Sequence, residues 1–229
     1  MGYYFFDSYY LLLVVPALII AMIAQARVSS TFKKYSSLAS VKGITAAQAA
    51  RQILDSNGLR DIPVEHVSGS LTDHYDPRKK VIRLSDTVFH STSVASIGVA
   101  AHEAGHAVQH ATAYAPLMIR NFVYPVVSIS SQAAVPLILL GFVFSFPALI
   151  NIGILLFSAV VAFQLITLPV EFNASARALT TLDEHGVLTK EELSPAKKVL
   201  GAAAMTYVAS ALVSIATLLR FILIARDRR

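Results

Sequence analysis

"HEAGH", His102 to His106, sets two imidazoles four residues apart with a carboxylate between them. On a helix both rings leave the same face, one turn from each other. Two imidazoles so placed can share one zinc ion. Glu103 lies off the ligand line, where its carboxylate can take a proton from a water that the metal acidifies toward neutral pH. His-Glu-Xaa-Xaa-His at this spacing is the signature of zinc peptidases. The flanking residues are mostly Ala, Val, Gly and Ile, and unpaired His and Glu would be costly to bury among them.

His110 continues the same face but does not join the ion. Eight residues of helix rise about 12 Å, whereas zinc–nitrogen bonds are near 2 Å. His110 is therefore expected beside the site or as a polar lid. The longer signature with a third histidine is excluded, because Gln109 and Thr112 stand at its Gly and His positions.

A catalytic zinc takes three protein ligands and keeps a fourth position open. Glu171, in "LPVEFNASARAL", is the best third ligand. It closes a run of 50 residues, 121–170, without Asp, Glu, Lys or Arg. That run is long enough for two membrane spans of about 20 residues each, and a hairpin returns Glu171 to the side of the histidines. His66, His74, His90 and His185 are weaker alternatives. Ser175, four residues after Glu171, shares its helical face and can orient a ligand histidine by a hydrogen bond. Asn173 and Arg177 are further candidates there, Arg177 equally as an ordinary membrane-flanking charge. For an oxyanion donor, His74, Tyr75, Tyr207 and Arg177 stay open.

Composition says where these residues are held. The chain is 55 % hydrophobic and 14 % charged, with mean hydropathy +0.60, which points to a membrane protein. Four spans are expected: Ser8–Ala26, two within 121–170 separated by the turn "SFPALIN", and Val199–Leu219 continuing to Ala225. With no cysteine there are no disulfides, thiolate metal sites or cysteine nucleophiles. The net charge of +5 comes from Lys and Arg beside the spans, as orientation signals do, and is no nucleic-acid signature.

The first span has Asp7 as the one charged residue ahead of it, begins with an aromatic belt of Tyr3, Tyr4, Phe5, Phe6, Tyr9 and Tyr10, and ends in Arg27, Lys33 and Lys34. That polarity is the reverse of a cleaved signal peptide. It predicts an uncleaved anchor with the amino terminus outside and residues 27–120 cytoplasmic.

Between the spans, Thr45 and Gln48 form a capping-box pair and Gly58 a helix stop. "YDPRK" is a turn among three short strands, the last being Lys80–Ser85. A helix over about Ser93–His110 carries the histidines. The expected organisation is an anchor over 1–26, a catalytic α+β segment over 27–120, a hairpin over 121–170, a helical segment over 171–198 and a last span with a basic tail over 199–229.

"LTDHYDPRKKVIRLSDTVF", "AAHEAGHAVQHA" and "LPVEFNASARAL", in this order around an anchor and a hairpin, resemble the YugP-type neutral zinc metallopeptidases of bacterial membranes. The resemblance spans nearly the whole chain. It implies one zinc ion on His102, His106 and Glu171, with Glu103 as catalytic acid/base. That family's third-ligand segment commonly reads Glu-Phe-Asp-Ala-Ser, and Asn173 stands here in place of the Asp. HtpX and CAAX-processing peptidases are similar at greater distance, with an Asp where Ser175 stands. The expectation is a mainly α, polytopic membrane protein of about four transmembrane helices, with a small zincin-like α+β domain at the membrane face. Its function would be zinc-dependent endopeptidase action on a membrane or membrane-proximal protein or peptide, at the cytoplasmic face of the cell membrane. No nucleic-acid partner is expected, and an oligomer or a partner membrane protein is compatible. The alternative is a non-catalytic membrane scaffold or adaptor with a structural metal.

Overall fold

The computed structural model describes residues 7–227; Tyr3, Tyr4, Phe5 and Phe6 of the aromatic group, and Arg228 and Arg229 of the basic tail, lie outside the described residues. A π-helical stretch, Tyr10–Val14, leads into α1, Val15–Ser36. The helix outlasts the apolar run, which ends at Ala26, and so carries Arg27, Lys33 and Lys34 as helical residues.

Helix α2, Ala46–Ser56, starts where the sequence signals it. Thr45 Oγ1 accepts the Gln48 N–H at 3.2 Å, and Gln48 Oε1 accepts the Thr45 N–H at 2.8 Å. Each side chain satisfies a backbone donor that the first turn leaves open. Ala46, Ala49, Ala50, Ile53 and Leu54 are buried, a helical stripe facing the core.

Three strands follow: β1 (Val64–Val67), β2 (His74–Asp76) and β3 (Val81–Ser85). Their order is β1-β3-β2, with β1 parallel and β2 antiparallel to β3. Between β2 and β3, Asp76 Oδ1 accepts the N–H groups of Arg78 and Lys79 at 2.9 and 3.1 Å. The side chain thereby closes the turn itself. Lys80 has φ +49° and belongs to that turn, so the strand expected from Lys80 begins one residue later.

Helix α3, Val94–Ala111, is capped by Ser93, whose Oγ accepts the Ser96 N–H at 3.1 Å. Two long helices follow, α4 (Ala115–Val143) and α5 (Pro147–Glu184). The break between them falls in "SFPALIN", with Ser145 at φ +51°. Pro147 opens α5, where its missing N–H deprives no helical hydrogen bond. The last helix, α6, runs Lys190–Asp227. Its buried Glu192 accepts the N–H groups of Thr189 at 2.7 Å and of Val41 at 2.6 Å.

Among the described residues, four helices are long and apolar enough to cross a membrane: Tyr10–Ser36, Ala115–Val143, Pro147–Glu184 and Lys190–Asp227. The protein is thus a mainly α, polytopic membrane protein with one small three-stranded sheet. Contacts divide it into two compact units, residues 1–25, 118–169 and 206–229 in one and residues 26–117 and 170–205 in the other.

Within the first unit, Ile138, Phe142, Ile150 and Phe221 form an apolar cluster. A Cβ at Gly153 would collide with the Ile138 side chain and lie 2.8 Å from the Ala134 carbonyl oxygen. Only glycine lets α4 and α5 come this close. Asp7 pairs with Arg220 at 2.7 Å, and the guanidinium also lies over the Tyr10 ring at 5.1 Å. Within the second unit, Ile53 and Leu54 of α2, Ile82 and Leu84 of β3, Ile97 and the alanines of α3, and Leu182 and Val187 make one core. This core seats the HEAGH helix against both the sheet and the late part of α5.

Candidate metal centre

Helix α3 can lie against α5 because position 105 has no side chain. A Cβ there would sit 2.7 Å from the Ala174 carbonyl oxygen, closer than any such contact tolerates. The turn of α5 from Glu171 to Ser175 is thereby brought onto the face of α3 that carries His102 and His106.

Glu171 Oε2 lies 3.3 Å from His102 Nε2 and 3.5 Å from His106 Nε2. The two rings are edge to face with centroids 4.6 Å apart. One ligand atom from each residue fits within 4.8 Å of the other two, and among the described residues this is the group that could hold a metal ion. Two imidazole nitrogens and one carboxylate oxygen are donors that zinc takes.

The far side of each ring is also held. Ser175 Oγ is 3.1 Å from His102 Nδ1, and Gln109 Oε1 is 3.0 Å from His106 Nδ1. The Gln109 amide nitrogen donates to the Val170 carbonyl at 2.8 Å and to Asn173 Oδ1 at 3.0 Å. Its oxygen is therefore the atom facing His106, so Nδ1 carries a proton and Nε2 is the nitrogen left to face a metal ion. Burial opposes a charge on His106, but Glu171, Glu103 and Gln109 outweigh it and raise its pKa above the ordinary imidazole value. The pocket attracts positive charge, as a cation site must.

Glu103 stands outside the trio. Its Oε2 accepts the Tyr75 N–H of β2 at 2.9 Å, and the residue is nearly buried. The Tyr75 hydroxyl lies 2.8 Å from His110 Nδ1. Burial, helped by Asp76 and Asp61, lifts the Tyr75 phenol from 10.0 to about 12, so it stays protonated in ordinary buffers. His110 is thus engaged by a strand residue instead of the metal group. Asn173 also accepts from Arg177 Nε at 2.8 Å, and the Arg177 guanidinium lies over the Tyr114 ring at 5.9 Å.

Other sequence candidates fall elsewhere. His74 is exposed and binds the Thr72 carbonyl at 2.8 Å, because adjacent residues of a strand face opposite ways and Tyr75 takes the side of α3. His66 pairs with Asp86 at 2.6 Å, His90 stacks on His66, and His185 is exposed. Tyr207 belongs to the first unit. Gln109 was missed as a site residue. Its signal was a buried amide three residues after His106, on the same side of an alanine-rich helix.

A membrane-spanning chain that gathers two histidines of HEAGH and a distant glutamate has the donor set of a zinc site. The chain belongs to the family described as "Putative neutral zinc metallopeptidase", which matches residues 10–226. It is 50 % identical over 220 residues to the "Putative membrane protease YugP" of Bacillus subtilis (strain 168), covering 96 % of this chain and 98 % of that protein. No solved structure matches it significantly.

Proposed function

We propose that the chain is a membrane-embedded zinc endopeptidase with one zinc ion on His102, His106 and Glu171 and Glu103 as general acid/base. The observation that carries this reading is the separate tethering of Glu103. Three donors can converge on an ion, while the fourth acidic or basic group is held beside them by a strand N–H. A purely structural metal has no use for a carboxylate so placed.

Zinc, when bound, supplies a Lewis acid that acidifies water and polarises a carbonyl. Ser175 and Gln109 fix the two rings so that their Nε2 atoms face inward. Glu103 keeps Oε2 on the Tyr75 N–H, and its Oε1 takes the proton of the attacking water and hands it to the leaving amine. The His110–Tyr75 bond positions β2 so that this N–H stays on Glu103.

An extended substrate would lie along the free edge of β2, where the Tyr75 N–H meets Glu103. Strand β3 has β1 on one side and β2 on the other and offers no edge. Substrates would be membrane or membrane-proximal polypeptides. The catalytic segment would be residues 27–120, completed by a ligand from residues 171–198 and facing the cytoplasm, as the Lys and Arg after the first span favour.

The test is cleavage of an unstructured membrane-tethered peptide by the purified chain, measured together with its zinc content. Glu103→Gln should keep about one zinc per chain and lose about 10²–10⁴-fold in rate. Cleavage at the parent rate by Glu103→Gln would overturn the reading. Stoichiometric zinc in the His102→Ala/His106→Ala double variant would overturn the ligand assignment.

A further inference from the structure

Arg27, Thr31, Lys34 and Tyr35 recur at i, i+4, i+7 and i+8 along α1, one helical face. They meet Lys198, Gly201 and Met205 of α6 around a cavity of about 370 Å³. No Asp or Glu lines it, and none of its three cations forms an ion pair among the described residues. Arg27, Lys34 and Lys198 line it with no protein counter-charge among the described residues, so an anion entering it meets only positive charge.

The position of the cavity along both helices narrows the kind of anion. Arg27 is the first charged residue after the uncharged run Ser8–Ala26, and Lys198 is the last before the uncharged run Val199–Leu219. Both line one cavity, so it sits where two candidate spans pass from apolar to polar sequence. That is the level of lipid headgroups, where basic pockets between helices bind anionic lipids. The floor suits a lipid as well. A Cβ at Gly201 would meet nothing within 4 Å, and Met205, one turn further into the apolar run, is exposed. A soluble anion would use the cations and leave that apolar strip unused.

We propose that this cavity is a binding site for an anionic phospholipid. The headgroup phosphate is held by Arg27, Lys34 and Lys198, with the Thr31 and Tyr35 hydroxyls beside it. The glycerol and the start of the acyl chains lie over Gly201 and Met205. This site is independent of the metal centre and of any catalytic activity.

The experiment measures binding of fluorescent phosphatidylglycerol to the full chain in detergent micelles, with fluorescent phosphatidylcholine as the neutral comparison. The parent should prefer phosphatidylglycerol. Each removed cation should weaken it about fivefold, so Arg27→Gln/Lys198→Gln should lose about 25-fold. Both side chains are exposed, so the double variant should melt like the parent in phosphatidylcholine. Gly201→Leu keeps every charge, fills open space and replaces a poor helix former. It should fold and bind phosphatidylglycerol at least fivefold more weakly. Unchanged binding in the double variant would overturn the proposal, as would equal affinity for phosphatidylcholine. Loss in the double variant with parent-like binding in Gly201→Leu would also overturn it, since general surface charge would then account for the effect. Displacement of the lipid by millimolar inorganic phosphate would overturn the lipid assignment.

Discussion

Ser175 Oγ lies 3.1 Å from Nδ1 of His102, across 73 residues of sequence. Ser175 is one helical turn beyond Glu171, so a single face of α5 supplies both a donor to the metal group and the partner that orients a second donor. The two roles are coupled by helix geometry, because any rotation of α5 that moves Glu171 moves Ser175 with it.

Ser175→Ala should therefore weaken zinc without unfolding the chain. It removes the hydrogen bond that orients the His102 ring and leaves all three donors in place. Loss of such an outer partner costs about 10–100-fold in metal affinity. Competition with a calibrated chelator measures this, and Ser175→Thr should restore most of the loss. Parent-like affinity in Ser175→Ala would make the contact incidental.

Gly105→Ala tests the close approach of α3 and α5. The new methyl would meet backbone, the Ala174 carbonyl oxygen at 2.7 Å, which has no rotamer to escape into. Overpacking of this sort costs about 1–3 kcal/mol. The melting temperature should fall, and zinc affinity should fall with it because Glu171 is pushed away from the histidines. Gly201→Ala, in open space, serves as the control and should be neutral or stabilising.

Legibility followed the range of each interaction. Helical spacing alone puts His102 and His106 on one face, and Thr45 with Gln48 announces α2 through side-chain chemistry within three residues. Glu171 is legible because the uncharged run 121–170 before it has to return. Gln109 escaped notice because its partners, Val170 and Asn173, lie 61 and 64 residues away. Strand order was equally hidden. Nothing local says that β3 pairs on both sides while β2 keeps an edge. Hydropathy marked where the first apolar run ends at Ala26, but helix formation is indifferent to that boundary and α1 continues to Ser36.

Tyr75 and its partner His110 bear on two separate measurements. His110→Ala should retain zinc, since His110 is outside the metal group, yet lower kcat about ten- to a hundredfold by loosening the Tyr75 N–H from Glu103. KM should change little. The Tyr75 phenol has a folded pKa of about 12 against an ordinary 10.0. A raised folded pKa means its stabilising contribution is intact below pH 10 and is lost as pH rises through 12. Tyr75→Phe should therefore flatten the alkaline fall in melting temperature over that window. An unchanged alkaline limb would show that Tyr75 does not titrate against folding.

Topology follows from the shared unit of the ligands. His102 and Glu171 both belong to the unit made of residues 26–117 and 170–205, so these two stretches should occupy the same side of the membrane. Residues 27–120 carry 11 Lys and Arg against 7 Asp and Glu, which favours the cytoplasm. Helix α6 is apolar enough to cross again, and a crossing would carry Arg226 outward against that tendency. Two features offset it. First spans generally dominate orientation, and the Ala-, Ser- and Thr-rich run "GAAAMTYVASALVSIAT" suits packing against other helices. Because the chain has no cysteine, single introduced cysteines report directly. Lys190→Cys should react with a membrane-impermeant maleimide only after the cells are opened, and Asp227→Cys should react in intact cells. Labelling of Lys190→Cys in intact cells would invert the whole orientation. Protection of Asp227→Cys until the cells are opened would remove the last crossing alone.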